Sequence, residues 1–444
     1  MATETKPAAS SETLIEVRAL KVHYPVKMPV LQRLLLRERP VVHAVDGVDF
    51  TLRRGEIFGL VGESGCGKTT VGRTILRLVD PTSGTIEFEG HEITHLKEKQ
   101  LAGFRRQAQI VFQDPHAALN PAMSIGRAIG HPLEIHGITR ESYPVRPSVK
   151  GSVEPVSQRS DRVTPPEERE AVLAIMREVG LTPEEQLYEK YPADLSGGQK
   201  QRAVIARAMI LRPKLIVADE PVAMLDMSIR ARVLELMIDL KTRYGLTYLF
   251  ITHDLATAKF ICDRIAIMYL GRIVEMGSAK EIYQDPKHPY TKALLSAIPV
   301  PDPTKRARKE LPKGEVPDAV YPPAGCRFHP RCSVALPTCG WEGRDLLDFL
   351  EERWLALDVA KKEAALGPIE VWTAEDLEAW RLVKDSGEQV QALLTAALTD
   401  ALPAMRSAVE SVSMQGGELR VRFRPAAELA PKEVEGRRVE CLLY

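Results

Sequence analysis

The sequence predicts an α/β fold, a mostly parallel sheet covered by helices, on three observations. Apolar runs of strand length alternate with segments of helical period along most of the chain. One such run, Ile57-Phe58-Gly59-Leu60-Val61, leads into Gly62-Glu63-Ser64-Gly65-Cys66-Gly67-Lys68-Thr69, and Val71 to Val79 then suits a helix. Another run, Leu215 to Ala218, is continuously apolar and ends in Asp219-Glu220, as a strand buried on both faces does.

The elements follow in order. Ile15 to Val22 alternates like a strand, and Tyr24 follows it. Pro25 to Pro40 is basic and Leu-containing and reads as a loop with a short helix. Val41 to Arg53 has strand character again, and Thr85 to Phe88 is a short strand after a Pro-Thr-Ser-Gly turn. Ile110-Val111-Phe112 is a strand ending at Gln113, and Ser124 to His136 is helical. Thr139 to Pro166 carries five prolines without apolar period and reads as a mobile loop. Helices are expected over Glu167 to Val179, Gln199 to Leu211 and Ile229 to Tyr244, with a strand over Thr247 to Thr252 ending at His253. Ile265 to Tyr269 and Arg272 to Glu275 suit a hairpin with Gly271 in its turn.

At 444 residues the chain should hold two or three domains. Lys and Arg total 60, as do Asp and Glu, so no global charge draws it to nucleic acid or anionic lipid, and no nucleic-acid partner is expected. Apolar runs are strand-sized and broken by charge, so no transmembrane helix is expected. Residues 1–13 are polar and read as a disordered tail rather than a secretory signal. Six cysteines suggest no disulfide scaffold, and a reducing cytoplasmic compartment is the default.

Gly62 to Thr69 fits G-x-x-x-x-G-K-[ST], the phosphate-binding loop, in the strand–loop–helix context the motif requires. Glycines let the backbone curl so that successive N–H groups point at phosphate oxygens, and the helix N-terminus adds its dipole. Lys68 can reach the β- and γ-phosphates and Thr69 can ligate Mg²⁺. The nucleotide-binding residues expected are Gly62, Glu63, Ser64, Gly65, Cys66, Gly67, Lys68, Thr69 and Thr70. Asp219 at a buried strand end can hold Mg²⁺, and Glu220 beside it can deprotonate the attacking water. Gln113, at another strand end, can reach the metal or the water. Ser196-Gly197-Gly198-Gln199 opens a helix and forms a second anion-binding terminus, which one nucleotide does not need. It would serve the nucleotide of a partner subunit. An ordinary N-cap would explain Ser196 but not the paired glycines.

Taken together, these residues resemble the ATP-binding subunits of ABC transporters, from Tyr24 to about Pro301. The resemblance implies an ATP-hydrolysing fold with a mostly parallel core sheet, an antiparallel β subdomain and a helical subdomain at about 114–195. It implies that Tyr24 stacks on adenine and that Gln113 is the Q-loop glutamine. Leu195 to Gln199 would be the signature, Asp226 the D-loop aspartate and His253 the switch histidine. Two subunits would clamp two ATP molecules between phosphate loop and signature. The D-loop, Val222-Ala223-Met224-Leu225-Asp226-Met227, departs modestly from the family's usual Val-Ser-Ala-Leu-Asp-Val.

Beyond the ATPase core, His288-Pro289-Tyr290-Thr291 and Gly325-Cys326-Arg327-Phe328-His329-Pro330-Arg331-Cys332 look like the C-terminal extension of oligopeptide/dipeptide importer ATPases. The Tyr24 to Lys27 segment favours the second, F-type, of their two non-identical ATPases. Partners implied are a second ATPase subunit, two transmembrane permease subunits and, indirectly, a substrate-binding protein, with this chain on the cytoplasmic face of the membrane. The same machinery could carry nickel or oligosaccharides, and a soluble non-transport ABC ATPase is the alternative from another class.

Cys326, Cys332 and Cys339 share a Pro-rich segment, and Cys441 regains the family's ending after a long insertion. Thiolates packed closely repel unless protonated, oxidised or metal-bound. Four suit a [4Fe–4S] cluster or tetrahedral Zn²⁺, with metal-free thiols as the further alternative, and the cluster is the reading taken. Cys66 and Cys262 read as packing residues. The domains expected are 14–300 for the ATPase, 301–340 with 436–444 for the Cys-rich extension, and 341–435 for an inserted α+β module. In that module helices are expected over Asp345 to Ala365, over Ala374 to Lys384 after a Thr373 cap, and from a Ser386 cap to about Leu402. Val409 to Met414 and Glu418 to Phe423 should form a hairpin with Leu419, Val421 and Phe423 on one face.

Overall fold

The computed structural model describes residues 12–27, 39–137, 165–298, 314–383 and 387–444. The tail at 1–13, the loop with short helix at Pro25 to Pro40, the loop at 139–166, Pro299 to Pro301 and the Ser386 cap fall outside the described residues, apart from a few end positions. The chain divides into two units, one of residues 1–23, 44–272 and 278–280, the other of 24–43, 273–277 and 281–444.

The first unit is built on two sheets. Its elements begin with β1 (Thr13–Pro25), β2 (Val41–Arg53), β3 (Ile57–Val61), α1 (Lys68–Ile75), β4 (Ser83–Phe88), β5 (His91–Glu92) and β6 (Ala108–Val111). Then come α2 (Ile125–Ile135), α3 (Pro165–Glu178), α4 (Gly197–Met209), β7 (Leu215–Asp219), α5 (Met227–Tyr244), β8 (Thr247–Thr252) and β9 (Arg264–Tyr269). The smaller sheet has the order β2-β1-β4-β5, and β1 meets β4 antiparallel with Ile15 opposite Phe88. The larger sheet runs β9-β3-β8-β7-β6, every adjacent pair parallel. All residues of β3, β7 and β8 are buried, as continuous apolar runs in a sheet covered on both faces require.

Helix α1 lies directly on this sheet. A methyl group at Gly72 would stand 2.7 Å from Ile251 Cδ1 and 2.9 Å from Val217 Cγ1, so the approach depends on the missing side chain. The register places Val61 beside Thr252, Asp219 beside Ile251 and Val111 beside Ala218. The carboxyl ends of β3, β6, β7 and β8 therefore open on one edge, where doubly wound sheets bind ligands.

The second unit starts at β10 (Arg272–Ser278) and α6 (Pro289–Ala297) and continues through α7 (Gly343–Trp354), β11 (Thr373–Glu375), β12 (Glu378–Leu382), α8 (Gly387–Ala397), β13 (Val409–Gln415), β14 (Glu418–Phe423), β15 (Lys432–Val434) and β16 (Arg437–Val439). Here β16 pairs antiparallel with both β10 and β15. A separate four-stranded sheet, β11-β12-β14-β13, buries Leu419, Val421 and Phe423 against Leu346, Leu350 and Leu394 of α7 and α8. The two ends of this segment are clasped by the amide of Ala427 donating to the Thr338 carbonyl at 2.9 Å.

Two expectations for this segment are corrected. Ala374 to Lys384 is not a helix: Thr373 begins β11 rather than capping a helix, and Ala374 pairs with Ala379 in a tight hairpin. Asp376 takes φ 43 in the turn, and the partner that holds β12 extended is β14, about forty residues away. Cross-strand pairing outweighs local helical propensity there. Asp345 to Ala365 is likewise broken, α7 ending at Trp354 with a separate helix over Leu357–Lys362.

Candidate functional site

The phosphate loop wraps around its own lysine. Lys68 Nζ donates to the carbonyls of Gly62 and Glu63, each at 2.9 Å, and lies 3.7 Å from Cys66 Sγ. Gly67 takes φ 102, and a Cβ there would meet the Ala44 carbonyl at 2.0 Å, so only glycine permits the turn into α1. Cys66 is buried, and burial raises its thiol although Lys68 opposes this. Thr69 and Thr70 occupy the first turn of α1, beyond the exposed Ser64 and Gly65.

Asp219, at the end of β7, accepts a hydrogen bond from Thr69 Oγ1 at 3.0 Å. This brings together two residues expected to organise one cation, although they stand 150 positions apart. Burial raises the Asp219 carboxyl above its ordinary value, and the Thr69 bond pulls it back in part. A divalent cation would stabilise the charged carboxylate.

Glu220 follows in the left-handed region at φ 46, its amide donating to the Ile251 carbonyl at 2.9 Å. This strained turn projects the carboxylate out of the strand. Its Oε2 accepts from Gln113 Nε2 at 3.0 Å, and its Oε1 is 2.9 Å from His253 Nδ1. One carboxylate thus joins the residues after β6, β7 and β8. A water beside it would meet an acceptor for its proton and two polar neighbours to hold the geometry.

The Ser196 segment forms a reciprocal capping box. The Gln199 amide donates to Ser196 Oγ at 3.3 Å, and the Ser196 amide donates to Gln199 Oε1 at 3.0 Å. A Cβ on Gly198 would lie 2.7 Å from Ile229 Cγ2 of α5. Asp226 caps α5, accepting from the Ile229 amide at 3.0 Å, the Ser228 hydroxyl at 2.8 Å and the Ser228 amide at 3.1 Å, which hold its carboxyl below the usual range. Tyr24, near the end of β1, is 39% exposed.

Sequence reasoning missed Arg230. On α5 it reaches Asp254 Oδ2 at 3.3 Å and the Leu225 carbonyl at 3.3 Å, tying the segment after His253 to the one before Asp226. Its i, i+4 place after Asp226 is the sole local signal.

In the second unit Cys326, Cys332, Cys339 and Cys441 line one cavity, together with His288, Phe328 and His329. All four are free thiols. Burial pushes Cys326 up to about 12 and Cys332 up to about 11, and raises Cys339 and Cys441. Each sulfur also accepts a backbone amide, from Phe328, Val334, Leu336 and Leu443 respectively, the Leu336 bond spanning 3.2 Å. Among the described residues no three of these sulfurs lie within 4.8 Å of one another. Zn–S bonds of about 2.3 Å in a tetrahedron would need sulfurs roughly 3.8 Å apart. Four thiols on one cavity could ligate a metal centre.

Residues 45–223 match the family model described as ABC transporter, and residues 274–339 that described as oligopeptide/dipeptide transporter, C-terminal region. The chain is 43% identical over 335 residues to AppF, the oligopeptide transport ATP-binding protein of Bacillus subtilis strain 168, covering 75% of this chain and 93% of that one. It is 42% identical over 356 residues to y4tS of Sinorhizobium fredii, named a probable peptide ABC transporter ATP-binding protein, covering 80% and 92%.

Proposed function

The chain belongs to the ATP-binding subunits of oligopeptide/dipeptide ABC transporters, and from that premise we propose how its residues divide the chemistry. It is an ATPase that energises oligopeptide import. The observation carrying the assignment of roles is the single Glu220 carboxylate held between Gln113 and His253 beside the phosphate loop.

Amides of Gly62 to Thr70 and the Lys68 ammonium hold the β- and γ-phosphates, Lys68 giving up part of its bonding to the loop carbonyls. Thr69, Gln113 and Asp219 would hold Mg²⁺, which would offset the charge of the phosphates. Glu220 takes a proton from the attacking water as its oxygen bonds to the γ-phosphorus. The bond from that phosphorus to the bridging oxygen breaks, and ADP leaves with the electron pair. His253 senses the γ-phosphate, and Tyr24 stacks on adenine.

Ser196, Gly197, Gly198 and Gln199 complete the nucleotide site of a second ATPase subunit, and Asp226 lies in the same contact. This chain is the F-type member of a non-identical pair, bound on the cytoplasmic face to two permease subunits that receive cargo from a substrate-binding protein. No helix among the described residues is long and apolar enough to cross a membrane. The ATPase domain is 14–300, with its helical subdomain about 114–195. The Cys-rich extension is 301–340 with 436–444, and 341–435 is an inserted module.

Cys326, Cys332, Cys339 and Cys441 hold one [4Fe–4S] cluster. Support comes from the shared cavity and the four amide donors. Its role is structural or sensing, because phosphoryl transfer needs no electron.

Co-purification tests the assembly. Tagged chain expressed with its neighbouring transport subunits should bring down a second ATPase and two membrane proteins, with ATP turnover raised in the complex. Recovery of this chain alone, with full turnover, would overturn it.

A further inference from the structure

His288 is the first residue of the His-Pro-Tyr-Thr run and is 1% exposed. Its Nδ1 accepts the Tyr290 amide at 3.0 Å, capping α6. That bond fixes the tautomer: in a neutral ring the proton must sit on Nε2. Nε2 has no hydrogen-bond partner. A buried, protonated, unpartnered nitrogen calls for an acceptor.

The cavity offers few. Besides His288 it is lined by Pro289, Phe328, Val334, Leu442 and Leu443, which bring no side-chain acceptor, and by His329 and the four cysteines. Both nitrogens of His329 are engaged, Nδ1 with the Cys326 carbonyl at 2.8 Å and Nε2 with Asp345 Oδ2 at 3.2 Å. The side-chain acceptors left are sulfurs, none of which Nε2 reaches in this arrangement. A ring whose Nδ1 lone pair is already used and whose Nε2 carries the proton is a donor here and no metal ligand.

We infer that His288 donates Nε2–H to a sulfur of the four-cysteine centre and thereby sets its reduction potential. The inference rests on the cluster reading above. A hydrogen bond to a cluster sulfur draws electron density from the irons and favours the reduced state. His288 is thus a tuning residue: its Nδ1 anchors the helix, and its Nε2 presents the donor. The ring is steadied further by Phe328, whose centroid is 6.0 Å away, and by its own amide donating to Glu275 Oε2 at 2.9 Å.

The test uses the full chain purified without oxygen. His288→Asn keeps an acceptor for the Tyr290 amide but is too short to keep the donor in place. Redox titration followed by electron paramagnetic resonance should show the variant holding wild-type iron and sulfide while its reduced-to-oxidised ratio at fixed potential falls about tenfold, or roughly 59 mV for a one-electron couple. Wild-type protein labelled with ¹⁵N-histidine gives a second reading that needs no variant: pulsed resonance of the reduced cluster should detect one weakly coupled nitrogen and an exchangeable proton. An intact cluster with an unmoved potential and no such coupling overturns the bond alone. Colourless wild-type protein, or one zinc per chain, overturns the cluster and the inference with it.

Discussion

Glu220 Oε1 and His253 Nδ1 stand 2.9 Å apart, joining the residues that follow two adjacent parallel strands. The same carboxylate's other oxygen accepts from Gln113. Glu220, proposed as the proton acceptor, is therefore held with Gln113 and His253 in one hydrogen-bonded unit.

Glu220→Gln should leave ATP binding nearly intact and lower turnover by about 10²-fold or more, because the water loses its base while phosphate and cation contacts stay. The complex with its partner ATPase should accumulate in a closed, ATP-bound form. Turnover near wild type in the reconstituted complex would take Glu220 out of this role.

Asp219→Asn separates stability from catalysis. Burial raises the Asp219 carboxyl, so its folded-state value exceeds the unfolded one. Its contribution to stability is complete below the unfolded pKa and is lost as pH rises through the folded pKa. At neutral pH the nucleotide-free wild type bears that cost and the Asn variant does not. The variant should melt higher than wild type without nucleotide, by a margin that widens from acid to neutral pH, while Mg²⁺-dependent hydrolysis falls. Equal melting temperatures across that range would contradict the reading.

Gly198→Ala should destabilise the first unit by roughly 1–3 kcal/mol through overpacking, since its methyl group would press on Ile229. Ile229→Ala in the same chain should restore most of the loss. Thermal melts of the two single variants and the double variant give the coupling directly, and strict additivity would exclude the contact as the cause.

Tyr24→Ala should weaken nucleotide binding by about 1–2 kcal/mol through lost stacking. The effect should fall on the Michaelis constant, with saturated turnover little changed. An unchanged constant would make Tyr24 a strand-end anchor.

Anaerobic protein should be brown, with about four irons per chain. Cys441→Ser should bleach it and leave ATP affinity within about twofold, since no step assigned to hydrolysis uses the centre. Full iron content in that variant would remove Cys441 from the ligand set.

Legibility in the sequence follows the range of the interaction. The phosphate loop is readable because strand, glycines and helix are consecutive, and the fully buried β3, β7 and β8 announce themselves as uninterrupted apolar runs. Ser196, Asp226 and their helices are readable because a cap acts within three residues. The convergence of Gln113, Glu220 and His253 is not written locally; the family pattern suggests it, and strand register produces it. The hairpin Thr373 to Leu382 reads as a helix because its stabilising partner, β14, lies far along the chain. Arg230 and the unpartnered nitrogen of His288 depend on side-chain directions that no spacing encodes.

The clasp between Thr338 and Ala427 bears on the order in which the chain folds. Cys339 and Cys441 are about a hundred residues apart, and an open loop of that length is slow to close and entropically costly. Once the segment between them has collapsed around Leu419, Val421 and Phe423, its ends meet at the clasp, and Cys441 is left to search over roughly fourteen residues instead. The segment between them would thus act as a folding shortcut. Substitutions that loosen its core should delay the arrival of the fourth thiol, even where they touch neither the cysteines nor the nucleotide site.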